Sequence, residues 1–268
     1  MKIDEKILVE TGLSPAFVLK EAKLVEFLSR LDSACSGQGV KYALFGGTAI
    51  NKTWLGQSLQ RFSEDLDVHL FGCSLPKASQ IISSLGAEKT SPPQQLFKEF
   101  YRFKLSYSDA ELGVVDDFVN FDASLQLSAP KTKLVTRTAR SFLSNYGFFL
   151  PSPSVYTYPA ETLVAMKLLA LGSRSAGKDF YDLYQLLKTV PFDSSVAMGE
   201  VHKYQGSLFD FQVARPEHLK QAVGSMKKTS DKELAKYDSF ITIENRPDWS
   251  LLKRELARLV KTRFAKYL

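Results

Sequence analysis

The stretch "ALFGGTAINKTWLGQSLQRFSEDLDVHLF", residues 43–71, contains the two features that are most informative about the fold. Its first apolar run ends in a Gly-Gly-Thr turn, and its second carries Asp65 and Asp67 two residues apart. Residues two apart on a strand face the same side, so the two carboxylates project together while Leu66 and Val68 point into the core. Such carboxylates repel each other, and a hard cation such as Mg²⁺ relieves the repulsion. The pair indicates a metal site; the plainer alternative is two solvated acids on an edge strand.

The turn before this strand has the composition of a phosphate-binding loop. Gly46 and Gly47 have no side chains, so backbone N–H groups there can approach a phosphate closely, and Thr48 adds a hydroxyl. The stretch lacks the spacing of the common phosphate and dinucleotide loops. A tight turn between a strand at residues 40–45 and a short helix at residues 48–55 is the alternative interpretation.

A third carboxylate lies on another predicted strand. In "DDFVNFDASL", residues 116–125, apolar and polar residues alternate, which is the pattern of a half-buried strand. Asp122 falls on the polar face together with Asn120 and Ser124. Residues 100–107 alternate in the same way, so two strands are predicted here in succession.

Together, the strand, the Gly-Gly-Thr turn, the helix and the Asp-x-Asp strand resemble the signature of the DNA polymerase β-like nucleotidyltransferase superfamily. More narrowly, "GGTAI…RFSEDLDVHLF" resembles the AbiEii/AbiGii toxin family, which includes the MenT-type toxins of toxin–antitoxin pairs. A second block, "ETLVAMKLLALGSRSAGKDFYDLYQLL" at residues 161–187, resembles that family's later motif. In that motif a Lys on one helix precedes an Arg and a Lys/Arg-Asp-x-x-Asp-Leu sequence that opens the next helix.

The resemblance implies a role for each matched residue. Plainer interpretations remain for the second block: Lys167 as a lysine on an amphipathic helix, and Asp179 and Asp182 as acids favoured by the dipole of a helix's first turn. Asp122, placed by the strand pattern alone, would add a third metal ligand. The implied roles are triphosphate binding for Gly46, Gly47 and Thr48, two-metal Mg²⁺ binding for Asp65 and Asp67, phosphate contact for Lys167, a conserved carboxylate for Asp182, and nucleotide contacts for Arg61 and Ser63.

Composition limits the class of protein. The chain has 268 residues, of which 44% are hydrophobic and 24% charged, as in soluble globular proteins. No apolar run approaches the roughly 20 residues that span a bilayer, and the N-terminus lacks the apolar core of a secretion signal. We therefore expect a cytoplasmic protein with no membrane association. Cys35 and Cys73 have neither zinc-type nor redox-type spacing and are predicted to be small buried side chains.

The positive charge is concentrated in one region. Residues 201–268 contain 14 Lys and Arg against 8 Asp and Glu, whereas residues 1–200 contain 21 of each. Such segregation suggests a polyanionic partner, although a basic segment is often only a solvated helical face.

The chain as a whole is predicted to be α+β, with a nucleotidyltransferase-type mixed β-sheet and flanking helices followed by a mostly helical C-terminal region. The Pro-rich stretch at residues 150–161 is the predicted boundary. It separates a catalytic domain, residues 1–150, from a helical domain, residues 151–268, that carries the second motif and the basic surface. Helices are expected at residues 14–36, from Ser74 to near Gly86, from Pro159, at residues 180–187, and after Asp248 with Leu252, Leu256 and Leu259 on its apolar side.

These features predict an NTP-dependent nucleotidyltransferase that acts as the toxin of a toxin–antitoxin or phage-defence pair, with a cognate antitoxin as partner. The basic region and the resemblance favour RNA as the acceptor, in particular a tRNA 3′ end. Two alternatives stay open: an enzyme that modifies a protein or small molecule, and a non-catalytic nucleotide-binding module. The three histidines, His69, His202 and His218, have no ligand spacing and are expected to be structural or on the surface.

Overall fold

The computed structural model describes residues 5–174, 176–204, 208–209, 212–213 and 217–267. The chain divides into two compact units. The first comprises Met1–Thr157 and Phe240–Ile243, and the second comprises Tyr158–Ser239 and Glu244–Leu268.

The first unit contains helices α1 to α4 and strands β1 to β8. A π-helix, Ile50–Trp54, follows α3 directly. The bounds are α1 Glu5–Thr11, α2 Pro15–Gly37, β1 Lys41–Leu44, α3 Gly46–Ala49, β2 Asp65–Phe71, α4 Leu75–Ser83, β3 Lys89–Thr90, β4 Gln94–Phe97, β5 Phe100–Asp109, β6 Val114–Gln126, β7 Val135–Thr138 and β8 Ser154–Thr157.

These strands form one mixed sheet of eight strands in the order β3-β5-β6-β2-β1-β8-β7, with β4 paired to β5. The β2–β6 and β1–β8 pairs are parallel, and the other pairs are antiparallel. Helix α2 packs against β1, β2 and β6, and α4 packs against β3 and β6. The predicted α+β class with a mixed sheet and flanking helices is confirmed.

Helix α2 forms where the sequence predicts it. Ser14 caps its N-terminus by accepting a hydrogen bond from the backbone N–H of Phe17 at 3.3 Å, and Pro15 takes the first helical position, where no N–H is needed. Leu24, Leu28 and Leu31 are fully buried along one face. Burial of this apolar face supplies most of the helix's stability in the folded chain.

The helix after the glycine turn differs from the prediction for residues 48–55, because it begins at Gly46 itself and widens into the π-helix. Two side chains explain the widening. Asn51 Nδ2 donates to the Gly47 carbonyl at 2.9 Å, and Thr53 Oγ1 donates to the Ala49 carbonyl at 2.6 Å. Both bonds compete for carbonyls that regular α-helical N–H groups would use.

The second unit is mostly helical. Helix α5 packs against α6, α7 and α8, and α10 packs against α6, α8 and α9. No helix in the described part of the chain is long and apolar enough to cross a membrane. The bounds are α5 Ala160–Ser173, α6 Gly177–Thr189, α7 Ser194–Lys203, β9 Leu208–Phe209, β10 Gln212–Val213, α8 Glu217–Lys228, α9 Asp231–Ala235 and α10 Trp249–Arg263.

Helix α10 starts after Asp248, which accepts a hydrogen bond from the Leu251 N–H at 3.0 Å, as the sequence predicts. Its buried residues are Trp249, Leu252, Leu256 and Val260, and Leu259, predicted on the same side, is half-buried.

Candidate active site

Three acidic side chains of the first unit, Asp65, Asp67 and Asp122, lie on the neighbouring strands β2 and β6. Strand β2 pairs with β6 in parallel, so that Asp65 stands opposite Asn120 and Asp67 stands opposite Asp122. Paired residues share a sheet face, and Asp65, Asp67 and Asp122 therefore line one side. The Asn120 amide donates to Asp65 Oδ1 at 2.8 Å. The predicted third carboxylate thus lies beside the Asp-x-Asp pair.

The glycine turn lies directly against this acidic face. Gly46 has φ +66°, and a Cβ atom at this position would stand 2.2 Å from Asp67 Oδ2. The backbone N–H of Phe45 donates to the Asp67 carbonyl at 3.0 Å. Only glycine satisfies both the left-handed conformation and the close approach of a carboxylate.

Thr48 and Gly47 connect the turn to its surroundings. The Thr48 hydroxyl donates to the backbone carbonyl of Asp65, which joins α3 to the start of β2. The Gly47 carbonyl accepts the Asn51 amide, and Asn51 Oδ1 in turn accepts the Arg61 backbone N–H at 2.9 Å. The turn is therefore held from both sides by side-chain bonds to the backbone.

Asp122 has a cationic partner on the other side. Strand β5 places Arg102 directly opposite Asp122, and the guanidinium donates from Nε to Oδ1 at 2.7 Å and from Nη2 to Oδ2 at 2.6 Å. Asp122 is 1% exposed. A bidentate, charge-assisted pair in this position is strong and orients the carboxylate.

The same arginine compensates the charge of all three acids. The hydrogen bond to Asp122 raises the pKa of Arg102, and the negative charges of Asp122, Asp65 and Asp67 raise that pKa further against the opposing effect of burial. The guanidinium thus balances part of the repulsion between the carboxylates when no other cation is bound.

Arg61 and Ser63 are both buried in the segment that leads into β2. The Arg61 guanidinium, 4% exposed, donates from Nη1 to the Phe62 carbonyl at 2.8 Å. The Ser63 hydroxyl is 2% exposed and has no hydrogen-bond partner among the described residues. Arg61 therefore supports the backbone before the acidic strand, whereas Ser63 offers an unused hydroxyl two residues before Asp65.

In the second unit, the residues of the second block form a buried ion cluster. Lys167 on α5 lies with its Nζ 2.7 Å from Asp179 Oδ1 and 3.2 Å from Asp182 Oδ2 on α6. Arg174 donates from Nε to Asp179 Oδ2 at 2.7 Å. The lysine and both aspartates are almost completely buried. The structure thus brings together the lysine, the arginine and the two acids that the motif contains.

Charge pairing decides the ionisation of Asp179. Burial alone would raise its pKa, but Lys167 and Arg174 outweigh burial and hold the pKa well below its usual range. The position of α6 depends on close packing as well, since a Cβ atom on Gly177 would stand 2.6 Å from Cδ2 of Tyr237.

Three polar residues around these groups were not identified as site residues from the sequence. Arg102, Asn120 and Asn51 bind Asp122, Asp65 and the glycine turn, respectively. Strand alternation places Arg102 and Asn120 on polar faces, which was the available signal. The missing information was the register between strands, which determines which residues of neighbouring strands face each other.

The residues present fit a divalent cation at Asp65 and Asp67. Asp65 is half-buried and Asp67 is 8% exposed, so their oxygens lie at the margin of the core. No group of three or more acidic, histidine or cysteine side chains with metal-site geometry occurs among the described residues. His69 shares the face of these acids but stacks on Phe45 with ring centroids 4.0 Å apart, and burial lowers its pKa to about 3.

Comparisons with known proteins identify both the family and the fold. The sequence model of the nucleotidyl transferase AbiEii toxin family, of type IV toxin–antitoxin systems, matches residues 27–266. No curated protein sequence matched the chain. The nucleotidyltransferase toxin MenT4 from Mycobacterium tuberculosis is structurally similar, with a TM-score of 0.65 and 14% identity over 99% of this chain and 92% of that one.

Two structures from Helicobacter pylori are also similar. JHP933 has a TM-score of 0.59 and 16% identity, covering 95% of this chain and 94% of that one. A putative nucleotidyltransferase has a TM-score of 0.57 and 16% identity, covering 95% and 97%. At these identities the structures support the fold, while the family match covers most of the sequence. The family predicted from the two sequence blocks is confirmed, and the chain belongs to the AbiEii family of nucleotidyltransferase toxins.

Proposed function

We propose that this toxin transfers a nucleoside monophosphate from an NTP to the 3′ hydroxyl of a tRNA in a Mg²⁺-dependent reaction in the cytoplasm. Membership of the family implies an NTP substrate and an antitoxin partner. The metal and the acceptor are the new parts of the proposal.

The contact between Gly46 and Asp67 carries the proposal. It joins a side-chain-free turn, suited to a triphosphate, to a carboxylate that faces the same side as Asp65 and Asp122. A phosphate group and a carboxylate repel each other at short distance unless a cation lies between them, and Mg²⁺ commonly bridges the two. The juxtaposition therefore supports metal-dependent phosphoryl chemistry.

Each residue of the acidic face has a proposed task. Asp65 and Asp67 hold the metal, and Asn120 orients Asp65 through its amide hydrogen bond. When bound, Mg²⁺ lowers the pKa of an attacking hydroxyl and neutralises charge on the triphosphate. Asp122 would hold a second ion if its carboxylate exchanged Arg102 for that ion. Two Mn²⁺ per chain in a calorimetric titration with a non-hydrolysable NTP would support this exchange, and one would indicate that Arg102 keeps Asp122.

The nucleotide contacts follow from the turn and the segment before β2. Gly46 and Gly47 would hold the triphosphate through backbone N–H groups, with Thr48 fixing the turn on Asp65. The buried Ser63 hydroxyl, which has no hydrogen-bond partner among the described residues, would donate to the nucleotide. Arg61, two residues earlier in the chain, would add positive charge.

Lys167 and Asp182 belong to the proposed machinery through the family motif. Lysine suits phosphate binding because its ammonium is a compact, mobile charge. Asp179 and Asp182 hold that ammonium in the second unit. We propose that Asp182 positions Lys167 for contact with the substrate phosphates.

The choice of RNA as acceptor rests on charge. The excess of 14 Lys and Arg over 8 Asp and Glu in residues 201–268 suits a polyanion better than a protein or a small neutral molecule. Part of this stretch, residues 205–207, 210–211, 214–216 and 268, lies outside the described residues.

The test is transfer of label from each of the four NTPs to total tRNA and to a cell extract by wild type and by Asp67→Asn. We expect loss of at least about 100-fold in the variant, because a metal ligand is removed while the shape is kept. Asp116→Asn is the matched control, since Asp116 is exposed and has φ +58°, a conformation that asparagine tolerates.

Circular dichroism would verify that both variants fold. Equal transfer by Asp67→Asn and wild type would contradict the proposed site. Label that resists ribonuclease but is released by protease would identify a protein acceptor instead, and label in neither polymer would identify a small molecule. Nucleotide binding without any transfer would indicate a non-catalytic module.

A further inference from the structure

A second concentration of positive charge lies within the first unit. Between Asp122 and Glu161 the chain contains no acidic residue but carries Lys131, Lys133, Arg137 and Arg140. Residues 1–200 as a whole are balanced, so this local excess is hidden in the overall count. Charge of one sign on a short segment creates a local positive potential.

The structure places this segment at the edge of the catalytic sheet. Strand β7 is the last strand in the sheet order, and its outer edge has no strand neighbour among the described residues. Thr136, Arg137 and Thr138 are exposed along it, and Arg140 is exposed just beyond its end. The two arginines and two hydroxyl groups are therefore available to a ligand.

A cavity of about 460 Å³ opens between this edge and the segment that follows α3. We call it the β7 pocket; none of the described residues that line it is acidic. Its lining includes Lys52, whose charge is already compensated by the buried carboxylate of Glu21. The net charge of the pocket comes from Arg137 and Arg140. Its chemistry suits an anion with hydrogen-bond acceptors.

The two arginines differ in how they are held. The Arg137 guanidinium lies 4.2 Å from the Trp54 ring centroid and donates from Nε to the Thr53 carbonyl at 3.2 Å. Arg140 is fixed through its backbone, which donates to the Lys52 carbonyl at 2.9 Å. Its side chain has no ion pair or hydrogen bond with any residue that the structure describes. One guanidinium is thus pre-positioned and the other is uncommitted, and a fixed arginine loses less freedom when it binds phosphate.

The β7 pocket and the acidic face share one sheet. In the strand order, β7 is three positions from β2, which corresponds to about 14 Å at the usual strand spacing. The pairing connects Val135 to Val68 across β8 and β1, so Thr136 lies on the same face as Asp67, whereas Arg137 lies on the opposite face of this edge strand. An extended polyanion that passes around the outer edge of β7 can therefore contact the arginines and reach the acidic face.

We propose that the β7 pocket binds the sugar-phosphate backbone of the acceptor RNA, with Arg137 and Arg140 as phosphate contacts that place the RNA end at the acidic face. The inference rests on the proposed function in assuming an RNA acceptor. It adds a defined backbone contact at the sheet edge of the first unit to the general attraction of a polyanion by residues 201–268.

The experiment compares two double variants of the full chain. Arg137→Ala/Arg140→Ala removes the pocket cations, and Arg254→Ala/Arg258→Ala removes two exposed arginines from α10 as the matched control. Binding to total tRNA is measured as a function of salt, NTP binding is measured by calorimetry, and folding is followed by thermal unfolding. Arg140→Glu alone provides a variant that breaks no contact recorded in the structure.

For the pocket variant we expect about tenfold weaker tRNA binding and a slope of log K against log salt reduced by about 2, one for each lost phosphate contact. NTP binding should be unchanged. Arg140→Glu should weaken tRNA binding at least as much as the loss of one phosphate contact, and the α10 control should lose less tRNA affinity than the pocket variant.

Three results would overturn the inference. Wild-type tRNA affinity in both pocket variants, or a loss confined to the α10 variant, would refute the location while leaving the proposed function intact. Loss of NTP binding in a folded pocket variant would assign the pocket to the nucleotide instead. Failure of wild type to bind tRNA at all would refute the inference and the RNA acceptor together, whereas Mg²⁺-dependent NTP binding would still support the enzyme.

Discussion

Gly46 meets two demands that no other residue type meets together. Its φ of +66° disfavours any side chain, and the space where a Cβ would stand contains the carboxylate of Asp67. The first demand is common in turns, but the second exists only because the turn contacts the acidic strand. The glycine is therefore part of the site geometry.

We predict that Gly46→Ala lowers the free energy of unfolding by about 2–5 kcal/mol, the sum of a left-handed backbone cost and an overpacking cost. Transfer activity should fall at least about 100-fold because Asp67 is displaced. Gly39→Ala is the control: its φ is +61° with nothing within 4 Å, so it should cost only about 1–2 kcal/mol and leave activity intact. Urea unfolding and label transfer measure both, and equal effects in the two variants would contradict the contact.

His69 predicts a pH dependence of stability. Its pKa falls from 6.5 to about 3 on burial, so the unfolded chain takes up a proton below pH 6.5 that the native protein does not. Stability must therefore decrease as the pH falls from 6.5 towards 3, by about 1.4 kcal/mol per pH unit.

Between pH 7 and 5, wild type should lose about 2 kcal/mol more than His69→Phe, which keeps a ring against Phe45 but cannot titrate. His202→Phe, at an exposed site, should retain the wild-type slope. Urea midpoints across this pH range provide the measurement. The same slope in His69→Phe and wild type would show that the histidine is not buried neutral.

Prediction from sequence succeeded for individual residues where one strand or helix was sufficient. Alternation alone put Asp65 and Asp67 on one face and Asp122 on the polar side of its strand. The partners of these acids required the register between strands, which depends on hydrogen bonds between segments distant in sequence. For that reason the Arg102–Asp122 pair was visible only in the structure.

At the scale of elements, the ion cluster connects α5 to α6. Asp179 and Asp182 are completely buried, and Lys167 forms an ion pair with both. A buried carboxylate without its partner is costly, whereas removal of the whole set often costs little. The lysine therefore has a structural task beside its proposed contact with phosphate.

We predict that Lys167→Met lowers the free energy of unfolding of the second unit by about 3–5 kcal/mol, and that adding Asp182→Leu restores part of it. Lys188→Met, at an exposed position near the end of α6, should change stability by less than about 0.5 kcal/mol. Trp249 fluorescence in urea reports this unit. If the double variant lost the sum of both single effects, the residues would not be coupled.

Element boundaries followed the sequence where caps set them, as for α2 and α10. The π-helix was not predictable, because its shape depends on Asn51, which binds the turn before it and the Arg61 backbone after it. A local pattern of apolar residues carries no information on such a bond. The helix that follows the glycine turn was thus not predictable from periodicity.

At the scale of the whole molecule, the two units are not consecutive segments. The chain leaves the second unit after Ser239, contributes Phe240–Ile243 to the first, and returns at Glu244. In the first unit, the Phe240 carbonyl accepts the Phe62 N–H at 2.8 Å, and its ring lies 5.6 Å from the Phe17 ring and 5.8 Å from the Phe62 ring. The predicted division after residue 150 therefore omits residues 151–157, which include β8, and residues 240–243 of the first unit.

Phe240→Ala should therefore lower the free energy of unfolding of the first unit by about 1–3 kcal/mol, because the ring is half-buried. The main segment of this unit ends more than 80 residues before Phe240. The chain's two tryptophans separate the units, since Trp54 lies in the first and Trp249 in the second. In a Trp249→Phe background, Trp54 fluorescence should show a lower urea midpoint for Phe240→Ala. In a Trp54→Phe background, Trp249 should show a smaller change. An unshifted Trp54 transition would mean that Phe240 adds nothing to the stability of the first unit.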